Sequence, residues 1–400
     1  MVMIKSRWCR IIGLGAGLVF ILAAASVAGA VTVAPLTQVS SLSPFSACPG
    51  GPTAGGTNHP NSEIEPAVAV NPLNTSNIVG VFQQDRWSNG AAHGLVSGFS
   101  LDGALSWSES TAAFSACEGG SYDRASDPWV SVGPDGKAYW ASLSASADEV
   151  TSAVQASTST DGGATWTTPA TIISETTNLH FNDKESVTAD PYHAGVAYVV
   201  WDRSQFPSDS ASLNALGHSF AFRGSPYYSE TTDGGGTWSA PRQIGPNQNI
   251  FTIGNQIAVE PDGTLVDIFH FGRGSGRDAP NASFTGVLRS TDGGDHWSSP
   301  IVVSTDPVAN DVDPNNDVAM RTGADVGGGI PDVAVDPSSG KLYAVWEDSR
   351  FSGGSHNDIA LSTSTDEGRT CRRRSRSTRR QSRWRRSRRW SMRSRTAMSE

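Results

Sequence analysis

The chain is poor in charge, in sulfur and in long apolar runs. Charged residues make up 17% of its 400 positions, with four cysteines and five methionines. Residues 11–27 form the single apolar run long enough for a membrane, which excludes a membrane domain elsewhere in the chain. Lys5, Arg7 and Arg10 precede that run and Ala28-Gly29-Ala30 follows it, so residues 1–30 read as an export signal; an uncleaved anchor is the other reading. The eight histidines are scattered without metal-ligand spacing. Gly-x-Ser-x-Gly is missing, and Gly272-Arg273-Gly274-Ser275-Gly276 lacks the strand–turn–helix setting of a nucleotide fold. Basic residues are scarce outside the C-terminus. Of the 30, 13 fall between Arg372 and Arg395, so the rest of the chain sets 17 bases against 38 acids. Such an acidic body argues against a nucleic-acid partner.

Gly, Ser, Thr and Asp are abundant instead, and they recur in order. Ser159-Thr160-Asp161-Gly162-Gly163-Ala164-Thr165-Trp166 returns as Thr231-Thr232-Asp233-Gly234-Gly235-Gly236-Thr237-Trp238 and as Ser290-Thr291-Asp292-Gly293-Gly294-Asp295-His296-Trp297. A worn copy, with Asp102 and Trp107, comes first; a fifth, with Asp366, breaks off at Cys371, where Trp is expected. An Asp side chain that accepts backbone N–H groups pins a tight turn, glycines supply its positive φ, and the Trp packs as an apolar anchor. Between copies the pattern repeats as well. An apolar run ending in Pro (66–72, 128–134, 185–191, 255–261, 331–337) leads through a turn to a β-branched and aromatic run, a variable loop, a third strand and the Asp turn. Four antiparallel strands per repeat make a propeller blade.

The five turns resemble the Asp-box (BNR) repeat, and residues 61–370 resemble the sialidase-like β-propellers. The resemblance implies an all-β, six-bladed propeller, with five blades visible here and the last incomplete. It makes the box residues structural, on the face away from the active site. It also implies an exported, glycan-directed protein of exo-α-sialidase or other glycoside hydrolase type. Such an enzyme needs no cofactor, meets extracellular glycans or glycoconjugates, and works as a secreted monomer free of the membrane once its signal is cleaved. The rivals are a carbohydrate- or protein-binding propeller and a structural or assembly module. Residues 31–60 form an arm that is expected to close the ring by lending a strand to the last blade. Residues 371–400 read as an Arg-rich, out-of-frame tail without a folded blade, or else as a genuine basic tail.

Chain direction puts the Asp turns on one face and the chemistry-bearing residues on the other. After the second strand of a repeat stand Asp85-Arg86-Trp87, Asp202-Arg203 and Asp348-Ser349-Arg350; before the first stand Glu65, Tyr122-Asp123-Arg124 with Asp127, Asp183-Lys184-Glu185 and Asp332. Arginine grips a carboxylate with two parallel bonds, and a carboxylic acid of raised pKa protonates a leaving oxygen. Asp127, Asp183 and Glu185 are therefore the catalytic candidates, and Arg86, Arg124, Arg203, Arg350, Asp85, Asp202 and Asp348 the substrate-binding ones. Bracing between blades is the competing reading of the Asp-Arg pairs. Catalytic sialidases also carry an Arg-Ile-Pro motif and a tyrosine nucleophile; this chain has no such motif, and Tyr139, Tyr198 and Tyr343 sit inside strands. Asp311, Asp313, Asn315 and Asp317 alternate as oxygen ligands suited to a structural calcium ion, or form a polar loop. Cys48 and Cys117, each ending a Phe-Ser-Ala-Cys stretch, are a candidate disulfide in an oxidising compartment.

Overall fold

The computed structural model describes residues 36–48, 56–148, 150–206, 223–245, 250–273, 282–307, 330–370 and 375–376. The chain divides into Met1–Leu36 and Thr37–Glu400, and all the described strands belong to the second. The calcium candidates Asp311, Asp313, Asn315 and Asp317 lie outside the described residues, as do the signal and nearly all of the tail.

The architecture is all-β. Among the described residues, five antiparallel units of four strands succeed one another. The first is β1 (Asn58–Val70), β2 (Ile78–Trp87), β3 (Ala92–Ser100) and β4 (Ser108–Ser110). The second is β5 (Arg124–Val132), β6 (Ala138–Ala145), β7 (Ser152–Ser159) and β8 (Ala170–Glu175). The third is β9 (His180–Ala189), β10 (Ala197–Gln205), β11 (Arg223–Thr231) and β12 (Arg242–Gln243). The fourth is β13 (Ile250–Val259), β14 (Leu265–Arg273), β15 (Ala282–Ser290) and β16 (Ile301–Thr305). The fifth is β17 (Asp332–Asp336), β18 (Lys341–Asp348), β19 (Asp358–Ser364) and β20 (Ser375–Arg376). The first strands stand side by side in chain order: β1 by β5, β5 by β9, β9 by β13, β13 by β17.

Each seam between units buries the first strand of one unit against the second strand of the unit before it. Val130 packs on Val79 and Val81, Val187 and Ala189 on Tyr139 and Ala141, and Ile257 and Val259 on Tyr198 and Val200. Apolar runs at these strands supply the driving force, about 25 cal/mol per Å² removed from water. Among the described residues, no strand covers the first unit in this way. Val68 is 67% exposed, whereas its repeat equivalents Val130, Val187 and Ile257 are 1–4% exposed.

The Asp turns staple the same seams. Asp161 Oδ1 accepts from Ser159 Oγ at 2.7 Å and from the Thr165 N–H at 2.9 Å, and the Ser159 hydroxyl accepts from the Gly163 N–H at 3.0 Å. Asp102, Asp233, Asp292 and Asp366 hold their turns with the same set of bonds. The carbonyl one residue after the Asp then accepts from a side chain of the preceding unit. Asn77 reaches Gly162 at 3.0 Å, Lys137 reaches Gly234 at 3.0 Å, Tyr228 reaches Gly293 at 3.2 Å, and Arg289 reaches Glu367. Trp166, Trp238 and Trp297 pack into these seams, and Trp107 is half-buried in the first unit.

Two expectations need correction. The described part of the N-terminal arm lies on the first unit, not the last. Ser41 bonds Glu109, Ser43 donates to Asp85 at 2.6 Å, Phe45 packs on Phe82 and Val96, and Cys48 is joined to Cys117 with Cα atoms 5.6 Å apart. A fourth strand is present in the fifth unit, where β20 pairs with Ala360 and Leu361. In the second to fifth units the fourth strand begins four residues beyond the Trp position, at Ala170, Arg242, Ile301 and Ser375; in the first it begins at Ser108, directly after Trp107.

Candidate functional site

At the strand ends opposite the Asp turns, the first strands break register. A bulge interrupts β1 between Ile64 and Ala67, β5 between Ser126 and Trp129, β9 between Asp183 and Ser186, and β13 between Ile253 and Gln256. The leading bulge residue takes a positive φ each time: Glu65 at 53°, Asp127 at 49°, Lys184 at 47° and Gly254 at 72°. Left-handed backbone suits glycine, and a side chain held there costs roughly 1–3 kcal/mol. Bulges re-aim side chains, and here three adjacent units aim theirs at one point.

Lys184 Nζ lies 3.0 Å from Glu65 Oε2 and 3.4 Å from Asp127 Oδ1. Glu65 and Asp127 also hydrogen bond each other. Gln83 Nε2 donates to Glu65 at 2.9 Å and to the Ser126 hydroxyl at 3.1 Å; that hydroxyl donates to Asp127 at 2.7 Å. Arg86 closes the network by donating to Gln83 Oε1 at 2.8 Å. The Asp127 side chain is 8% exposed and that of Glu65 36%, so Glu65 is the solvent-facing member.

The environment splits the two carboxyls. Burial, then the Asp127 charge, pushes Glu65 up to about 7. Burial would raise Asp127 too, but the Lys184 ammonium, bonds from Glu65 and Ser126, and the Arg86 charge outweigh it, and Asp127 stays well below the usual carboxylate range. Lys184 keeps its charge despite burial because both carboxylates face it. One proton donor and one ionised acceptor therefore sit side by side, the arrangement that general acid–base chemistry requires. Asp183 lies behind them, accepting from the Lys184 N–H at 3.1 Å, and burial followed by the Asp127 charge lifts it to about 8. Glu185 points into the interior, where neither carboxylate oxygen meets a donor and burial holds it protonated.

The remaining candidates are placed elsewhere. Arg124 lies 4.7 Å over the Trp87 ring and donates to Asn89 and Gly90. Arg203 is bound to Glu175 at 2.6 Å and to Tyr227. Arg350 is bound to Asp348 at 2.6 Å and to Ser304. Asp202 accepts from Thr252 at 2.6 Å, the Gly254 N–H at 2.8 Å and Asn255 at 2.6 Å, and so fixes the bulge of the next unit. Asp85 binds the arm through Ser43 and β1 through the Asn61 N–H. Of the four arginines, Arg86 alone joins the central network.

Gln83 carries no sequence signal of its own. The bulge residues do: aligned on the repeats, the position before the first apolar run reads Glu65, Asp127, Lys184, Gly254 and Ile330. A repeat that keeps its turns and varies this one position points to it. Gly254 and Ile330 pack on each other, since a Cβ on Gly254 would stand 2.4 Å from Ile330.

Among the described residues, no cluster of three His, Cys, Asp or Glu side chains fits a metal ion. No protein-family model and no curated protein matches the chain. Among solved structures it is similar to a protein of unknown function from Dyadobacter fermentans, at 14% identity and TM-score 0.51, over 80% of this chain and 83% of that one. It is also similar to an α-L-arabinofuranosidase from Fusarium graminearum (13%, TM-score 0.49, 76% and 78%) and to a Hadza microbial sialidase (16%, TM-score 0.48, 79% and 58%). The first likeness is one of fold.

Proposed function

We propose that the chain is an exported Asp-box propeller of sialidase-like type that hydrolyses a glycosidic bond of an extracellular glycan. The observation that carries this reading is the Glu65–Asp127 pair, joined by Lys184 at three strained, repeat-equivalent positions. Glu65, protonated near neutral pH and facing solvent, donates to the departing oxygen. Asp127, held ionised by Lys184, stabilises positive charge on the sugar or accepts a proton from water. Lys184 and Arg86 are the cations available to an acidic sugar, so a sialoside is one substrate to try among several.

A second reading has its own support. Glycosidase carboxyls usually stand about 5–5.5 Å or 6.5–9.5 Å apart, whereas Glu65 and Asp127 bond directly. A neutralised cluster of that kind suits a sugar-binding site without turnover.

A panel of chromogenic glycosides, sialosides and arabinofuranosides included, separates the two. The hydrolase turns over at least one of them, and Glu65→Gln and Asp127→Asn each lose about 10²–10⁴-fold. Its rate falls as pH rises through about 7, where Glu65 gives up its proton. If the panel stays intact while a glycan array retains the protein, the binding reading replaces the hydrolase. If the protein neither cleaves nor binds a glycan, both readings fail and a structural module takes their place.

A further inference from the structure

The first unit differs from the others at the tips of its turns. Its Asp turn carries Leu101 and Leu105, and the turn between β1 and β2 carries Leu73; these are 56%, 81% and 69% exposed. Leu101 stands where the later Asp turns have Thr160, Thr232, Thr291 and Thr365, and Leu105 where they have Ala164, Gly236, Asp295 and Arg369. Leu73 corresponds to Asp135, Tyr192, Asp262 and Ser338. The Gly103 N–H donates to the Ser76 carbonyl at 2.8 Å, so the two turns abut and the three leucines share one end of the unit. Asp102 holds its turn through backbone N–H and serine groups, which need neither leucine side chain.

The N-terminal arm enters at this same end. The Thr37 hydroxyl donates to the Ala104 carbonyl at 3.5 Å, next to Leu105. The arm then bonds Glu109 through Ser41 and reaches Asp85, at the bulge end, through Ser43. Thr37 follows the apolar run 11–27 closely in sequence, by at most about 35 Å of fully extended chain. We propose that residues 11–27 stay on the exported protein as a membrane anchor and that the leucine end of the first unit rests on the lipid surface beside it. Exposed apolar patches mark contact sites. A few leucines hold lipid only reversibly, and stable attachment takes a second signal, which the anchor supplies. The surface it fits is uncharged: residues 71–77 and 100–107 include one acid, Asp102, and no Lys or Arg, so anionic headgroups gain nothing there. Contact at this end leaves Glu65, Asp127 and Lys184, at the opposite strand ends, turned toward the medium.

The test uses the full chain in phosphatidylcholine vesicles, a share of whose acyl chains are brominated and quench a fluorophore that touches them. Cys9→Ser and Cys371→Ser remove the cysteines outside the Cys48–Cys117 disulfide, and bimane is attached at Leu105→Cys or, for comparison, at Asp295→Cys in the fourth unit. The label at 105 is quenched several-fold more than the label at 295. Leu73→Ser/Leu101→Thr, which installs residues that other units carry at these positions, brings it down to the level at 295. Equal quenching at the two positions, or none, overturns the proposal. N-terminal sequencing of the exported protein checks the anchor: residues 11–27 are retained, and a chain that starts near Val31 overturns the proposal. If the label at 105 is quenched no more than that at 295 while sedimentation shows a dimer that Leu73→Ser/Leu101→Thr dissolves, a second copy covers the leucines and the lipid contact fails.

Discussion

The two ends of the first strands obey opposite rules. At the Asp-turn end the residues repeat. Asp102, Asp161, Asp233, Asp292 and Asp366 make the same bonds; glycine holds the positive-φ positions of the three intact copies, while Ala104 and Glu367 take one such position in the first and fifth. At the bulge end the backbone repeats but the residues do not, and Glu65, Asp127 and Lys184 carry side chains where glycine is easier. Identity kept at equivalent positions marks a structural part, since every seam needs the same staple. Strain kept at equivalent positions, with a different ionisable group each time, marks a part that acts once per molecule. Acid–base work needs such a singular arrangement, and fivefold repetition cannot supply it.

Lys184→Met breaks this contrast most severely. It leaves Asp127, 8% exposed, as a buried charge without its cation, and removing one partner of such a pair costs about 3–5 kcal/mol. Urea unfolding reads the loss. Adding Asp127→Asn to Lys184→Met should restore much of it, because the stranded charge is gone. If the single variant is as stable as the wild type, Glu65, Asp127 and Lys184 do not form a coupled unit. The turn end responds less. Asp161→Ala removes an acceptor of one hydroxyl and two N–H or O–H groups of Thr165, comparable to losing a helix cap, and costs about 1–2 kcal/mol. On the proposed hydrolase reading, activity per folded molecule stays the same in Asp161→Ala. A fall in that activity without unfolding would mean that the two ends are not independent.

The turn end was legible in the sequence because its cause is local. A Ser/Thr-x-Asp-x-Gly-x-Thr-Trp stretch contains both partners of nearly every bond it makes. The all-β strand pattern was legible for a like reason, since Val130, Val187 and Ile257 fall in apolar runs. Asp127 was legible as a candidate, but its partners were harder to rank. Glu65 and Lys184 meet it across 62 and 57 residues of chain, and Gln83 joins through a neighbouring strand. What brings them together is the register shift in three strands, and composition gives no sign of a bulge. The Asp-Arg pairs misled in the other direction. Arg124, Arg203 and Arg350 are each taken up locally, on Trp87, Glu175 and Asp348.

The pH dependence of stability distinguishes the ends by sign. Asp183 is raised to about 8 in the folded chain, by burial first and the Asp127 charge second, against about 3.9 when unfolded. Between those values the folded state holds a proton that the unfolded state has released, so this contribution is complete below about pH 4 and is lost as pH rises through about 8. Asp102 behaves oppositely. Bonds from the Ser106 hydroxyl, the Ser106 N–H and the Ser100 hydroxyl lower it to about 2. Its contribution is present above about pH 4 and is lost as pH falls toward 2. Unfolding free energies measured across pH should therefore flatten on the alkaline side in Asp183→Asn and on the acid side in Asp102→Asn. If Asp183→Asn leaves the slope between pH 4 and 8 unchanged, that carboxyl is not protonated behind the pair, and the split of Glu65 from Asp127 loses one of its supports. If both variants change the same limb, the two ends share one electrostatic environment, and the division of labour along the strands fails with it.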